Sequence, residues 1–97
     1  MELKMVYDAM EDMANAFTQG AQTLEALTSE LNNIAAALEG GALLGRGGDA
    51  FVSAIRDRLI GRVNRLRDKF QELNRDVIVA MGEMRREDLG TERTFED

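Results

Sequence analysis

Leu3, Val6, Met10, Met13, Phe17, Gly20, Leu24, Leu27, Leu31, Ile34 and Leu38 follow one another in unbroken steps of three and four. Steps of that size lay a single apolar stripe along a helix. A glycine-dense segment from Glu39 to Asp49 ends the stripe, and a second repeat follows: Val52, Ile55, Leu59, Val63, Leu66, Phe70, Leu73, Val77, Ala80 and Met84. The pattern predicts an all-α chain folded as an antiparallel helix-turn-helix hairpin. It places a helix at about 3–39, a glycine-rich loop at 40–48 and a second helix at about 49–86. Five glycines in the loop permit a tight reversal, and Asp49 is positioned to cap the second helix.

Two helices alone cannot shelter stripes this long. A chain of 97 residues builds one small core, and each arm of a lone hairpin keeps a wet side, so association with a second molecule is the expected remedy. The expectation is therefore a dimer in the form of an elongated four-helix bundle. Its hairpin and dimer seam would be Val6, Met10, Met13, Phe17, Leu24, Leu27, Leu31, Ile34 and Leu38 of the first arm with Ile55, Leu59, Val63, Leu66, Phe70, Leu73 and Val77 of the second. Small residues flank the first stripe (Ala9, Ala14, Ala16, Ala21, Thr23, Thr28, Ala35, Ala37), where a simple two-stranded coil carries charge. They widen the stripe and let neighbouring helices approach, as a bundle requires. Gly20 sacrifices about 1 kcal/mol of helix propensity, so it either admits a bulky neighbour or marks a bend. The step from Leu59 to Val63 is four where the alternation calls for three, a stutter that locally unwinds a supercoil.

Charge divides along the same boundary. Residues 1–39 set Lys4 against seven acids, residues 40–86 set ten basic side chains against six acids, and the segment from Glu87 sets Arg93 against five acids. Opposite charge on the two arms favours their antiparallel docking and equally suits a second copy, although each exposed pair adds only about 0.2–1 kcal/mol. The net charge of −6, and the acids Asp57, Asp68, Glu72 and Asp76 among the arginines, argue against nucleic acid as a partner.

Catalysis finds no support. The chain has no His and no Cys, so the usual nucleophilic triads and the usual zinc sites are unavailable, and neither Ser29 nor Ser53 has a base at fixed helical spacing. Asp8, Glu11 and Asp12 read as solubilising acids on a wet face. Gly45-Arg-Gly-Gly48 lacks the preceding strand and the following Lys-Ser/Thr of a phosphate loop. No catalytic, cofactor or metal residue is expected. No apolar run approaches a membrane span, so stable membrane insertion is not expected, and the acidic start carries no conventional signal peptide. Met5, Met10, Met13, Met81 and Met84 read as adaptable core filler.

The segment Leu43-Leu44-Gly45-Arg46-Gly47-Gly48-Asp49-Ala50-Phe51 resembles the central signature of the WxG family of small secreted proteins, the early-secretory-antigen-like class. That signature reads Trp-x-Gly, a few small residues, an acid, Ala and Phe; here Leu43 stands where the family has Trp. Chain length and the midpoint loop agree. The family's C-terminal pattern of hydrophobic, acid, weaker apolar and hydrophobic positions falls on Met84, Asp88, Thr91 and Phe95. Its Tyr-to-acid variant is absent near the C-terminus, and Tyr7 with Glu11 has that spacing only in the first helix.

The resemblance implies a loop motif of Leu43, Gly45, Asp49 and Phe51 and a flexible export tail at 87–97 bearing Met84, Asp88, Thr91 and Phe95 at and beyond its start. It implies type VII secretion without a cleavable signal peptide, from a folded cytoplasmic pool, with a secretion ATPase of the FtsK/SpoIIIE type as partner. The other partner is a second copy or a similar small WxG-type protein, and the complementary arms favour the homodimer. The contrasting expectation is an intracellular coiled-coil adaptor or chaperone whose Met-rich stripe grips a client helix.

Overall fold

The computed structural model describes the backbone of residues 2–42 and 45–96 and the side chains of residues 3–41 and 45–88. With no Pro anywhere, nothing interrupts the backbone ladder of the first arm, and helix α1 runs from Glu2 to Ala37. The chain then kinks within Leu38–Ala42, where Gly41 sits at the non-helical φ of 122°. Gly45, at φ 94°, then launches helix α2, Arg46–Ser53. Both positions lie where an L side chain is strained, which is why the reversal is written in glycine. A π-helical stretch, Ala54–Leu59, leads without a break into helix α3, Ile60–Glu96.

The boundaries differ in three respects from those that spacing predicts. Helix α2 starts ahead of Asp49, so Asp49 lies in the first turn and no side-chain hydrogen bond caps that end. Its N–H donates to the Gly45 carbonyl at 3.1 Å, and its charge suits the positive pole of the helix. The backbone of α3 remains helical past residue 86, as far as Glu96.

The arms run antiparallel, as four cross-arm pairs show: Tyr7 with Asp88, Thr18 with Asn74, Thr28 with Asn64, and Glu39 with Arg56. The result is a rod with extents of 77 × 18 × 14 Å. The 8, 6 and 37 residues of the second arm's three stretches, at about 1.5 Å each, account for its length. Its radius of gyration is 21.8 Å, against about 13 Å for a compact domain of this size. Apolar side chains therefore have only the narrow strip between two helices in which to hide.

What they hide behind is small residues. Ala14, Ala21 and Ala35 of α1 are buried against the second arm, Ala35 completely. Leu31, Ala35, Val52, Ile55 and Val63 form the core, with Leu24, Leu38 and Ile60 packed on it. This core sits toward the turn. The π stretch sets its composition: a wider turn holds an extra residue, so the inward position after Ile55 passes to Ile60, and Leu59 faces solvent. The stutter read from the Leu59-to-Val63 step is thus absorbed one turn earlier, in the backbone itself.

Polar pairs set the register along the remaining length. Asn74 Nδ2 donates to the Ala14 carbonyl at 2.7 Å and to Thr18 Oγ1 at 2.9 Å, and Thr28 Oγ1 donates to Asn64 Oδ1 at 3.1 Å. A slip of one turn would break both sites, leaving half-buried amides to find new partners. Among the described residues, the cross-arm ion pairs of Glu39 with Arg56 at 3.0 Å and Glu11 with Arg85 at 3.9 Å are exposed and add little.

Candidate functional site

The seam leaves the hairpin with two unlike sides. Residues that directly follow an inward position (Glu11 after Met10, Thr18 after Phe17, Arg85 after Met84) line a shallow groove together with Ala14, Asn74 and Met81. This side mixes polar side chains with the exposed Ile78, and the Glu11–Arg85 contact spans it. Residues that directly precede an inward position lie about 100° round the helix from it, on the opposite side. That side carries six large apolar residues among its charged ones. Val6, Met13, Leu27 and Ile34 of α1, Leu59 at the end of the π stretch and Leu66 of α3 are all exposed, Ile34 at 48% and Leu66 at 47% of their surface.

The residues read as one seam therefore separate into two sets. Leu31, Ile55 and Val63 are buried between the arms, and Met10, Phe17, Leu24, Leu38, Phe70, Leu73 and Val77 are half-buried. Val6, Met13, Leu27, Ile34, Leu59 and Leu66 stand outward. Six large apolar side chains in a row on one side of a rod exceed the scattered exposure normal for a monomer surface. Burial would gain roughly 1–2 kcal/mol for each.

The turn and the far end hold the remaining candidates. Gly45, Asp49 and Phe51 are exposed at the turn end, Phe51 at 55%, while Val52 beside it is buried in the core. Leu43 lies outside the described residues. At the far end Met84 and Asp88 are half-buried on α3. The α3 backbone carries Thr91 and Phe95, whose side chains lie outside the described residues. Turn motif and tail positions are thus held at opposite ends of one rod.

Asp88 has a partner that the spacing does not reveal. Tyr7 Oη donates a hydrogen bond to Asp88 Oδ2, and the Arg85 guanidinium carbon stands 5.2 Å from the centre of the Tyr7 ring. Desolvation between the arms, then the hydrogen bond to Asp88 and its negative charge, push the phenol pKa from 10.0 up to about 12, with Arg85 pulling the other way. Among the described residues no group of three His, Cys, Asp or Glu is arranged to hold a metal ion, and no helix is long and apolar enough to cross a membrane.

A family model described as proteins of 100 residues with WXG, named WXG100, matches residues 2–88. The chain belongs to the WXG100 family. WXG100 proteins are in general non-enzymatic substrates of type VII secretion, and they typically pair with similar small proteins. No curated protein and no solved structure matches the chain. The WXG100 match spans both arms, the turn motif and the sequence as far as Asp88, so Tyr7 and Asp88 both fall within it. Gly45, at φ 94°, stands at a backbone angle that demands a glycine.

Proposed function

We propose that the chain is a non-enzymatic substrate, and a co-secretion partner, of a type VII secretion system, recognised as a folded dimer through its turn motif and its C-terminal tail. The observation that carries this reading is the outward stripe of Val6, Met13, Leu27, Ile34, Leu59 and Leu66 on one side of the hairpin. A second hairpin laid on that stripe makes a four-helix bundle and removes the stripe from water.

The ends of the rod favour an inverted copy. Turn motif and tail sit at opposite ends of one chain, so a copy docked head to tail brings Gly45, Asp49 and Phe51 of one chain beside Met84 and Asp88 of the other. Each bundle end then carries one complete pair of signals, which a lone hairpin lacks. The partner is a second copy, or a similar small WXG100 protein with a matching stripe, and the reader of the signals is the FtsK/SpoIIIE-type ATPase. Leu43, Gly45, Asp49 and Phe51 form the turn signal; Met84, Asp88, Thr91 and Phe95 form the tail signal.

Deletion of residues 87–97 tests the reading. Helical content and dimer mass should stay close to those of the full chain, and export by cells that carry the secretion apparatus should stop. Normal secretion of the truncated chain would remove the tail from the mechanism. A monomer at micromolar concentration, with no companion protein, would remove the dimer.

A further inference from the structure

The Tyr7–Asp88 hydrogen bond joins residues near the two ends of the sequence. Arg85, one turn before Asp88, covers the Tyr7 ring and also reaches Glu11 at 3.9 Å. Four polar side chains from both arms thus meet within about one turn of each helix. Core packing does not call for them, because the buried cluster of Leu31, Ala35 and Ile55 lies toward the other end of the rod. Their joint effect is local: one oxygen of the Asp88 carboxylate is fixed by a hydroxyl from the opposite arm, and the ring that carries this hydroxyl is held in place by Arg85.

We propose that Tyr7 is a positioning residue of the export determinant, which holds Asp88 against α1 and so makes the tail signal a composite of both arms that only the closed hairpin presents. The inference rests on the reading of Asp88 as part of the export tail. An open or unfolded chain carries the same tail residues without the composite. The secretion ATPase then distinguishes folded from unfolded chains by the setting of one acid. Arg85 acts through the ring and Glu11 through Arg85, so their contributions descend in that order.

The test compares Tyr7→Phe, which keeps the ring beneath Arg85 and removes only the hydroxyl, with Asp88→Ala and with the double variant. Export is measured for the full chain, alongside circular dichroism and thermal melting of the purified proteins. Tyr7→Phe should lower export about tenfold, the equivalent of one hydrogen bond to a charged group, with helical content as in the parent. Asp88→Ala should fall as far, and the double variant no further. Tyr7 is the one tyrosine and there is no Trp, so near-ultraviolet absorbance titration reads the contact directly. Its midpoint, about 12 in the parent, should fall in Asp88→Ala, while desolvation of the phenol between the arms remains.

Normal export of Tyr7→Phe beside failed export of Asp88→Ala overturns the proposal and leaves the tail reading standing. Normal export of both Asp88→Ala and the 87–97 deletion overturns the tail reading itself. A phenol midpoint unmoved by Asp88→Ala, or an export loss in Tyr7→Phe that merely tracks lost helix, also overturns the positioning role.

Discussion

The ring of Phe70 occupies the space that a side chain at Gly20 would need. A Cβ placed on Gly20 would lie 2.6 Å from two carbons of that ring, inside any normal contact distance. Phe17, one turn before Gly20, completes the site with its ring centre 5.7 Å from that of Phe70 and its plane tilted by 59°, within the range that aromatic pairs favour. A residue that weakens its own helix thus admits an aromatic ring from the opposite arm.

Gly20→Ala has opposite effects in two backgrounds. In the parent the methyl group forces Phe70 aside, and overpacking of about 1–3 kcal/mol outweighs a propensity gain of about 1 kcal/mol, for a net loss of about 1 kcal/mol. In a Phe70→Ala background the obstruction is gone, and the same change stabilises by about 1 kcal/mol. Urea unfolding of all four proteins at one concentration measures both signs; a loss in both backgrounds would mean that Gly20 matters for a reason other than Phe70.

Acidic substitutions on neighbouring positions separate folding from assembly. Leu31 is part of the buried core, and Leu31→Asp places a charge there without a partner, a cost of several kcal/mol that should abolish helical structure. Ile34→Asp and Leu66→Asp place charge on the outward stripe and should leave circular dichroism intact while halving the mass found by light scattering. A dimer that survives both outward changes would locate its interface elsewhere on the rod.

Alkaline pH should loosen the far end of the hairpin through Tyr7. Its pKa is raised from 10.0 to about 12, so the folded form favours the neutral phenol. The stabilising contribution is complete below pH 10.0 and disappears as pH rises through about 12. Thermal midpoints of the parent and of Tyr7→Phe should run parallel up to the lower value and converge above it; curves that stay parallel across this range would exclude the linkage.

Two glycines of the same stretch should respond oppositely to Ala. Gly45→Ala forces a side chain into φ 94° and should cost about 1–3 kcal/mol. Gly47 lies inside α2 with open space for 4 Å around the point where a Cβ would stand, and the same change there should gain about 0.5–1 kcal/mol. Chemical denaturation of both variants provides the comparison.

The spacing of Leu3 to Leu38 and of Val52 to Met84 is enough to read two helices, their antiparallel return and the place of the turn, because apolar periodicity and glycine density act within a few residues of where they are written. Which heptad positions turn inward is less legible. Large side chains at Val6, Met13, Leu27 and Ile34 argue for one choice, yet Ala14, Ala21 and Ala35 are the ones taken between the arms, because small residues permit a closer approach. That choice depends on the shape of the opposite helix, which local spacing does not encode. The same holds for Thr18 with Asn74, Thr28 with Asn64 and Tyr7 with Asp88: each is a polar residue with no pattern of its own until the fold supplies its partner. The extra residue near Leu59 is visible in the sequence, but its accommodation as a π turn over Ala54–Leu59 is a backbone property.

The narrow 18 × 14 Å section of the rod is set by two helices lying side by side, and it does not depend on how many heptads each contains. Adding seven residues to both arms would extend the molecule by about 10 Å and leave its girth unchanged. Length and thickness are therefore set independently in this fold: added heptads change the first, and the side-by-side pairing of two helices fixes the second.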